Sequence, residues 1–148
     1  MSLEENKAIV RRFFENGFNE GKLEIFDETV AADCPWGKDA QGPEAVKENR
    51  TINHAAFPDM HGTIKDIVAE GDKVAMNSML SGTRTGEVDG WPPPKGQEVS
   101  FKVMWFFTLK EGKIAKVDTL QDSFAINVQL GYIPTGEEIW KQAGGKVE

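Results

Sequence analysis

Cysteine is nearly absent: Cys34 is the only one in the chain. That excludes a disulfide framework and any zinc site built on cysteines. Histidine is almost as scarce. His54 and His61 stand alone, seven positions apart, without the His-x-x-x-His spacing that lets one helix face hold a metal, so no metal site is expected. Apolar runs are short, and none approaches the roughly eighteen residues that a membrane-spanning helix needs. Positive charge is in deficit: 17 Lys and Arg against 24 Asp and Glu leave a formal net charge of −7. Such a surface repels nucleic acid and anionic membranes, so neither is expected as a partner. The polar start, Met1-Ser2-Leu3-Glu4-Glu5-Asn6-Lys7, has no apolar stretch of the kind a signal peptide carries, and a cytoplasmic location is the expectation.

What is present suffices for one folded domain. The 148 residues are 39% apolar and 28% charged, the balance of a globular chain with a sizeable core and not of a disordered one. Ser2-Leu3-Glu4-Glu5 fits a capping box, and Ala8, Ile9, Val10, Phe13 and Phe14 follow at helical spacing. Asn16-Gly17 is the expected end of that helix. A short second helix is expected over about 22–28. A third starts near Pro43 and runs to about Ala56, with Val46, Ile52, Ala55 and Ala56 facing inward, and Phe57-Pro58 ends it. From His61 the period changes to two, which marks strands over 62–70 and 73–85 joined at Gly71-Asp72. A proline-rich crossover, Gly90-Trp91-Pro92-Pro93-Pro94-Lys95-Gly96, follows. Helices first and antiparallel strands after them indicate an α+β fold: three helices packed on one curved sheet. The core spans about 4–134 of a single domain over 1–148, and the tail from 135 onward has little to pack.

The stretch Gln97–Ser123 reads as a long antiparallel hairpin turning at Glu111-Gly112. If Lys110 and Lys113 close the turn, counting outward sets Phe107 opposite Lys116, Trp105 opposite Asp118, Val103 opposite Leu120 and Phe101 opposite Asp122. Asp118 and Asp122 would then share an apolar face with Val99, Phe101, Val103, Trp105 and Phe107. A carboxylate there demands a reason, because burying one unpaired is costly. Arg84 closes the inward row of the preceding strand, so it is a candidate partner for both acids. The opposite face, with Met104, Phe106, Ala115, Val117, Ala75 and Met79, is too apolar for a freely solvated surface, which leads us to expect a homodimer through the sheet.

Several ordered pieces now point one way. They are Glu5-Asn6-Lys7 with Val10-Arg11-Arg12-Phe13-Phe14, Gly42-Pro43-Glu44-Ala45-Val46-Lys47, and Ala56-Phe57-Pro58-Asp59. They continue with Ala69-Glu70-Gly71-Asp72-Lys73-Val74, Gly82-Thr83-Arg84-Thr85-Gly86, Pro92-Pro93, Gly112-Lys113-Ile114, Asp122 and Gln129-Leu130-Gly131. Together they resemble the SnoaL-like polyketide cyclase and ester cyclase family, within the nuclear-transport-factor-like superfamily. The resemblance implies a cone-shaped α+β domain, a curved, mostly antiparallel mixed sheet around a pocket, and a dimer. It also implies cofactor-free intramolecular aldol closure of an aromatic polyketide ester, with Asp122 as general acid/base. The chain departs from the family in its histidines. Arg84 stands where histidine is common, Val117-Asp118 replaces a His-Trp pair, and Cys34-Pro35-Trp36 replaces an Asp-His pair.

The candidate site therefore comprises Asp122, with Arg84 to steady developing negative charge and Asp118 beside it, and Trp36, Trp91, Trp105, Phe101 and His54 as walls for a small apolar or aromatic molecule. Two other readings stand next to a cyclase or isomerase. One is an epoxide or ester hydrolase using Asp118, Arg84 and Asp122. The other is a pocket protein that binds such a molecule without turning it over. Each acid also has a plain structural reading: Asp122 as the N-cap of a helix starting near Phe124, and Asp118 as an ion-pair partner.

Overall fold

Ser2 begins the first helix, α1 (Leu3–Arg11). Its hydroxyl accepts from the Glu5 amide at 3.1 Å while the Glu5 carboxylate accepts from the Ser2 amide at 2.7 Å. The computed structural model describes residues 1–147. In it the helix does not stop at Asn16-Gly17. It widens into a π-helical segment, Arg12–Asn19, which brings Phe13 and Phe14 into the core and Phe18 against it. Gly17 is buried here for packing and not for a turn: a Cβ on it would lie 2.5 Å from the Phe26 ring. Helix α2 (Glu24–Thr29) follows, then a hairpin of two short strands, β1 (Pro35–Trp36) and β2 (Ala40–Gln41), then α3 (Gly42–Ala56) with Pro43 in its first turn. On α3, Val46 and Ala56 are buried, but Ile52 and Ala55 are exposed, contrary to the expected stripe.

The main sheet runs β3-β4-β5-β6 and is antiparallel throughout, with β3 His61–Glu70, β4 Lys73–Arg84, β5 Gln97–Lys110 and β6 Lys113–Gln121. Alternation is clean on β5, where Val99, Phe101, Val103, Trp105, Phe107 and Leu109 are buried and the residues between them are not. Two irregularities change what faces the core. Ile64 pairs with Ser78 but Asp66 with Asn77, so Lys65 is an extra residue and Ile64 turns inward. On the last hairpin Leu109 pairs with Ile114 but Thr108 with Lys116, so Ala115 is extra.

The second bulge corrects the counted register. Because side chains alternate with period two, one added residue moves every later side chain to the other face. Phe106 lies opposite Asp118 and Met104 opposite Leu120, while Phe107 faces Val117, Trp105 faces Thr119 and Val103 faces Gln121. Asp118 is therefore on the outer face, as is Leu120, which is 77% exposed. Val68, Met104 and Phe106 are exposed on the same face.

Two further helices follow the sheet, α4 (Ser123–Gln129), where a helix starting near Phe124 is one expectation, and α5 (Gly136–Gln142), so among the described residues there are five α-helices and not only the three packed on the sheet. Asp122 is the N-cap of α4, its carboxylate accepting from the Ala125 amide at 3.0 Å. Thr135 and Glu138 form a capping box on α5, in the stretch the sequence left without structure. Among the described residues no helix is long and apolar enough to cross a membrane. The core between the helices and the inner sheet face is aromatic. Phe13 meets Phe18, Phe26, Trp36, Trp105 and Phe107 edge-on, and Trp105 stacks on Phe107 at 5.8 Å.

Gly17→Ala forces a methyl into the fully buried Phe26 ring and is expected to lower stability by about 1–3 kcal/mol. Urea unfolding with an unchanged slope and an unchanged midpoint would contradict this packing. Asp122→Ala removes the α4 cap and is expected to cost about 1 kcal/mol, whereas Asp122→Asn, an equally good cap, stays close to the parent. Equal midpoints for the Ala and Asn variants would show that the cap is not formed.

Candidate functional site

Between the helices and the inner face of β4–β6 lies a cavity of about 420 Å³. Its walls come from six elements. The π-helical segment supplies Phe18, and β1 with its turn supplies Pro35, Trp36 and Gly37. Helix α3 presents Asn49, Asn53 and His54, and Met60 follows its end. Leu80 of β4 and Phe101, Val103 and Trp105 of β5 form an apolar floor. Val117, Thr119 and Gln121 come from β6, and they face inward only because of the Ala115 bulge.

The floor is held by a short relay. The Trp105 indole N–H donates to Ser78 Oγ at 2.9 Å, and that hydroxyl donates to the Val103 carbonyl at 3.1 Å. Ser78 is fully buried, so both polar groups are satisfied where an unpaired one would be costly. The relay fixes the indole edge and leaves its face to the aromatic cluster.

Among the described residues no acid, lysine or arginine lines this cavity, and His54 is its one titratable side chain. His54 Nδ1 lies 3.3 Å from the Arg50 carbonyl one turn earlier. With a proton on Nδ1 donated to that oxygen, Nε2 carries the lone pair. Nε2 is enclosed and has no hydrogen-bond partner. Burial holds the ring's pKa below its ordinary value, and the positive charge of Arg50 adds to the effect; the Arg50 and Met60 carbonyls oppose it more weakly. His54 is thus a neutral imidazole at pH 7, a base with an unused lone pair.

Four of the residues named from the sequence meet in the cavity: Trp36, Trp105, Phe101 and His54. The other four do not. Arg84 is fully buried, but at the end of the β4 inner row, roughly 13 Å along the strand from Leu80. Its guanidinium donates to the carbonyls of Gly86 and, at 2.9 Å, Pro92, and lies 5.5 Å from the Trp91 ring centre. It pins the proline-rich crossover, and Trp91, 42% exposed on that crossover, covers Arg84 and not the cavity. Asp118 pairs on the outer face with Lys116 at 3.2 Å. Asp122 caps α4. The expected meeting of Arg84 with the two acids does not occur, because the bulge turns Asp118 out and each group has its own nearer partner. Cys34 is buried and its thiol is pushed up to about 11 by desolvation, so it is not a nucleophile at neutral pH.

Sequence reasoning missed Phe18, Asn49, Asn53, Thr119 and Gln121. The signal for the last two is the run Val117-Thr119-Gln121, an alternation opposite to the one counted from the turn. Asn49 and Asn53 are an i,i+4 pair, and Asn53 Nδ2 donates to the Asn49 carbonyl at 2.9 Å, which looks like an ordinary surface arrangement in one dimension.

Known proteins share this architecture. The structure of TsrD from Streptomyces laurentii superposes with a TM-score of 0.81 at 22% identity, covering 90% of this chain and 99% of that one. AclR from Streptomyces galilaeus, a candidate hydroxylase, gives 0.79 at 24% identity over 96% and 95% of the two chains. IdmH from Streptomyces antibioticus, a candidate polyketide cyclase, gives 0.73 at 29% identity over 85% of this chain and 98% of its own. No curated protein matches the sequence closely enough to count as a relative. The family model described as SnoaL-like polyketide cyclase matches residues 8–130, most of the length and every wall of the cavity. The chain belongs to the SnoaL-like polyketide cyclase family.

Proposed function

We propose that the protein is a cofactor-independent cyclase or isomerase acting on an uncharged, apolar carbonyl compound, with His54 as the group that takes and returns the proton. The observation that carries this is the unpartnered Nε2 of a neutral His54 in a cavity whose other walls bear no charge. Family membership supports the reaction class. His54 is preferred to Asp122 because it lines the cavity, while the Asp122 carboxylate is committed to the α4 amide of Ala125.

The chemistry balances without a co-reactant. Nε2 accepts an α-proton, and the C–H electrons move into the enolate. The enolate carbon attacks a second carbonyl of the same molecule, and the new alkoxide takes the proton back from the imidazolium. The Gln121 side-chain amide and the Thr119 hydroxyl are available to donate to the developing oxyanion. The aromatic floor holds a flat ring and excludes water. A lining without cations gives a substrate carboxylate no partner, so an ester or ketone fits better than an acid. The hydrolase reading loses its basis, since Asp118, Arg84 and Asp122 each have separate partners.

One observation favours a second reading, a binder without turnover: the cavity holds a single titratable group, with no carboxylate to orient it. Exchange of the α-protons of β-tetralone in deuterated water, followed by NMR, separates the two. We expect catalysed exchange that falls about a hundredfold in His54→Gln, the usual weight of one general base, and is unchanged in Asp122→Asn. The rate holds its plateau at neutral pH and is lost only as pH falls below the usual histidine range, because the folded-state pKa is depressed. Loss in Asp122→Asn with retention in His54→Gln would overturn the assignment. Binding of β-tetralone without any exchange would favour the binder.

A further inference from the structure

Phe18 is the cavity wall nearest the end of the π-helical segment, and that end is tied down on two sides. On one side, Asn19 imitates a strand. Its Nδ2 donates to the Gly62 carbonyl and its Oδ1 accepts from the Gly62 amide, both at 2.8 Å. On the other, Arg50 of α3 donates through both Nε and Nη2 to the Phe18 carbonyl, at 3.3 and 3.2 Å. The chain passes flush under this guanidinium because residue 21 is glycine at φ +73, where a Cβ would come 2.7 Å from Nη2. Phe18 is in turn edge-on to Trp105 at 6.2 Å, so the wall and the floor are placed together.

The contact is unusual in its charge. Among the described residues no carboxylate forms an ion pair with Arg50, although Lys47 on the same helix has two. A carbonyl satisfies the guanidinium's hydrogens but does not neutralise it. The uncancelled charge stands one helical turn before His54, and the Arg50 carbonyl also receives His54 Nδ1. Among the described residues no charged side chain lines the cavity itself; Asn49, Asn53, Thr119 and Gln121 are neutral.

We propose that Arg50 is the positioning residue of this site: one guanidinium joins the Phe18 wall to the helix that carries His54 and keeps a positive charge beside that ring. The proposal builds on the reading of His54 given above, but its tests do not need turnover. They use the titration of the His54 ring by NMR, assigned with His54→Gln, and the affinity of the cavity for the neutral dye Nile red.

In Arg50→Gln the charge and the two-point contact are both lost. His54 is expected to titrate nearer the ordinary histidine value, and Nile red to bind about tenfold more weakly. In Arg50→Lys the charge remains but the fork does not, so the titration stays low while dye binding weakens. Gly21→Ala displaces the guanidinium without removing it and should behave as the Lys variant does. It also serves if Arg50→Gln does not fold. Folded variants with unchanged titration and unchanged dye affinity would overturn the proposal, and parent-like dye binding in Arg50→Lys and Gly21→Ala would reduce Arg50 to a bare charge and refute the positioning role. Failure of β-tetralone exchange in the parent protein would count against the function and not against Arg50.

Discussion

One extra residue in β6 decides what lines the cavity. A hairpin closed by Lys110 and Lys113 with simple alternation would bury Asp118 among aromatic rings. The bulge at Ala115 shifts the register by one, and the period-two rule then exchanges the faces of everything beyond it. Asp118 and Leu120 go outward, and Val117, Thr119 and Gln121 go inward. The cavity gains a neutral polar wall where it would have gained a carboxylate. A buried acid would have needed a cation nearby to offset its desolvation; the bulge removes the need.

The rest of the site follows from that neutrality. Trp105 is oriented by a hydroxyl relay in place of an ion. Among the described residues His54 is left as the sole titratable wall group, its pKa lowered by burial and by an arginine whose partner is a carbonyl. Arg84 illustrates the same economy elsewhere. It stands at a position where the family commonly has histidine, yet it braces the crossover with backbone carbonyls and the Trp91 ring and takes no part in the cavity.

Much of the architecture was legible in one dimension. The capping box at Ser2, the helix start at Pro43, the turns at Gly71 and Glu111-Gly112 and the odd-numbered burial of β5 all follow from local chemistry, and these local signals agree with one another. The family resemblance agreed with them. What local signals could not give was the count of residues between turn and rim. A bulge of an alanine leaves no glycine or proline to mark it, and a glycine such as Gly17 looks like a cap when it is in fact a contact with Phe26. The wall residues Asn49 and Asn53 look like solvent-facing polar groups until α3 is laid over the sheet. Trp36, Trp105 and Phe101 line the cavity because large aromatic groups on an inward face have few other places to go, whereas His54, near the end of α3, carries no such signal in the sequence.

The central claim is that His54 is a free-base imidazole inside the substrate cavity. An NMR titration of the histidine ring protons, with and without β-tetralone, tests it directly. The account predicts that His54 titrates below the usual histidine range and that its resonances move when β-tetralone binds. A His54 that titrates as an ordinary solvent-exposed histidine and does not respond to the bound ketone would contradict it.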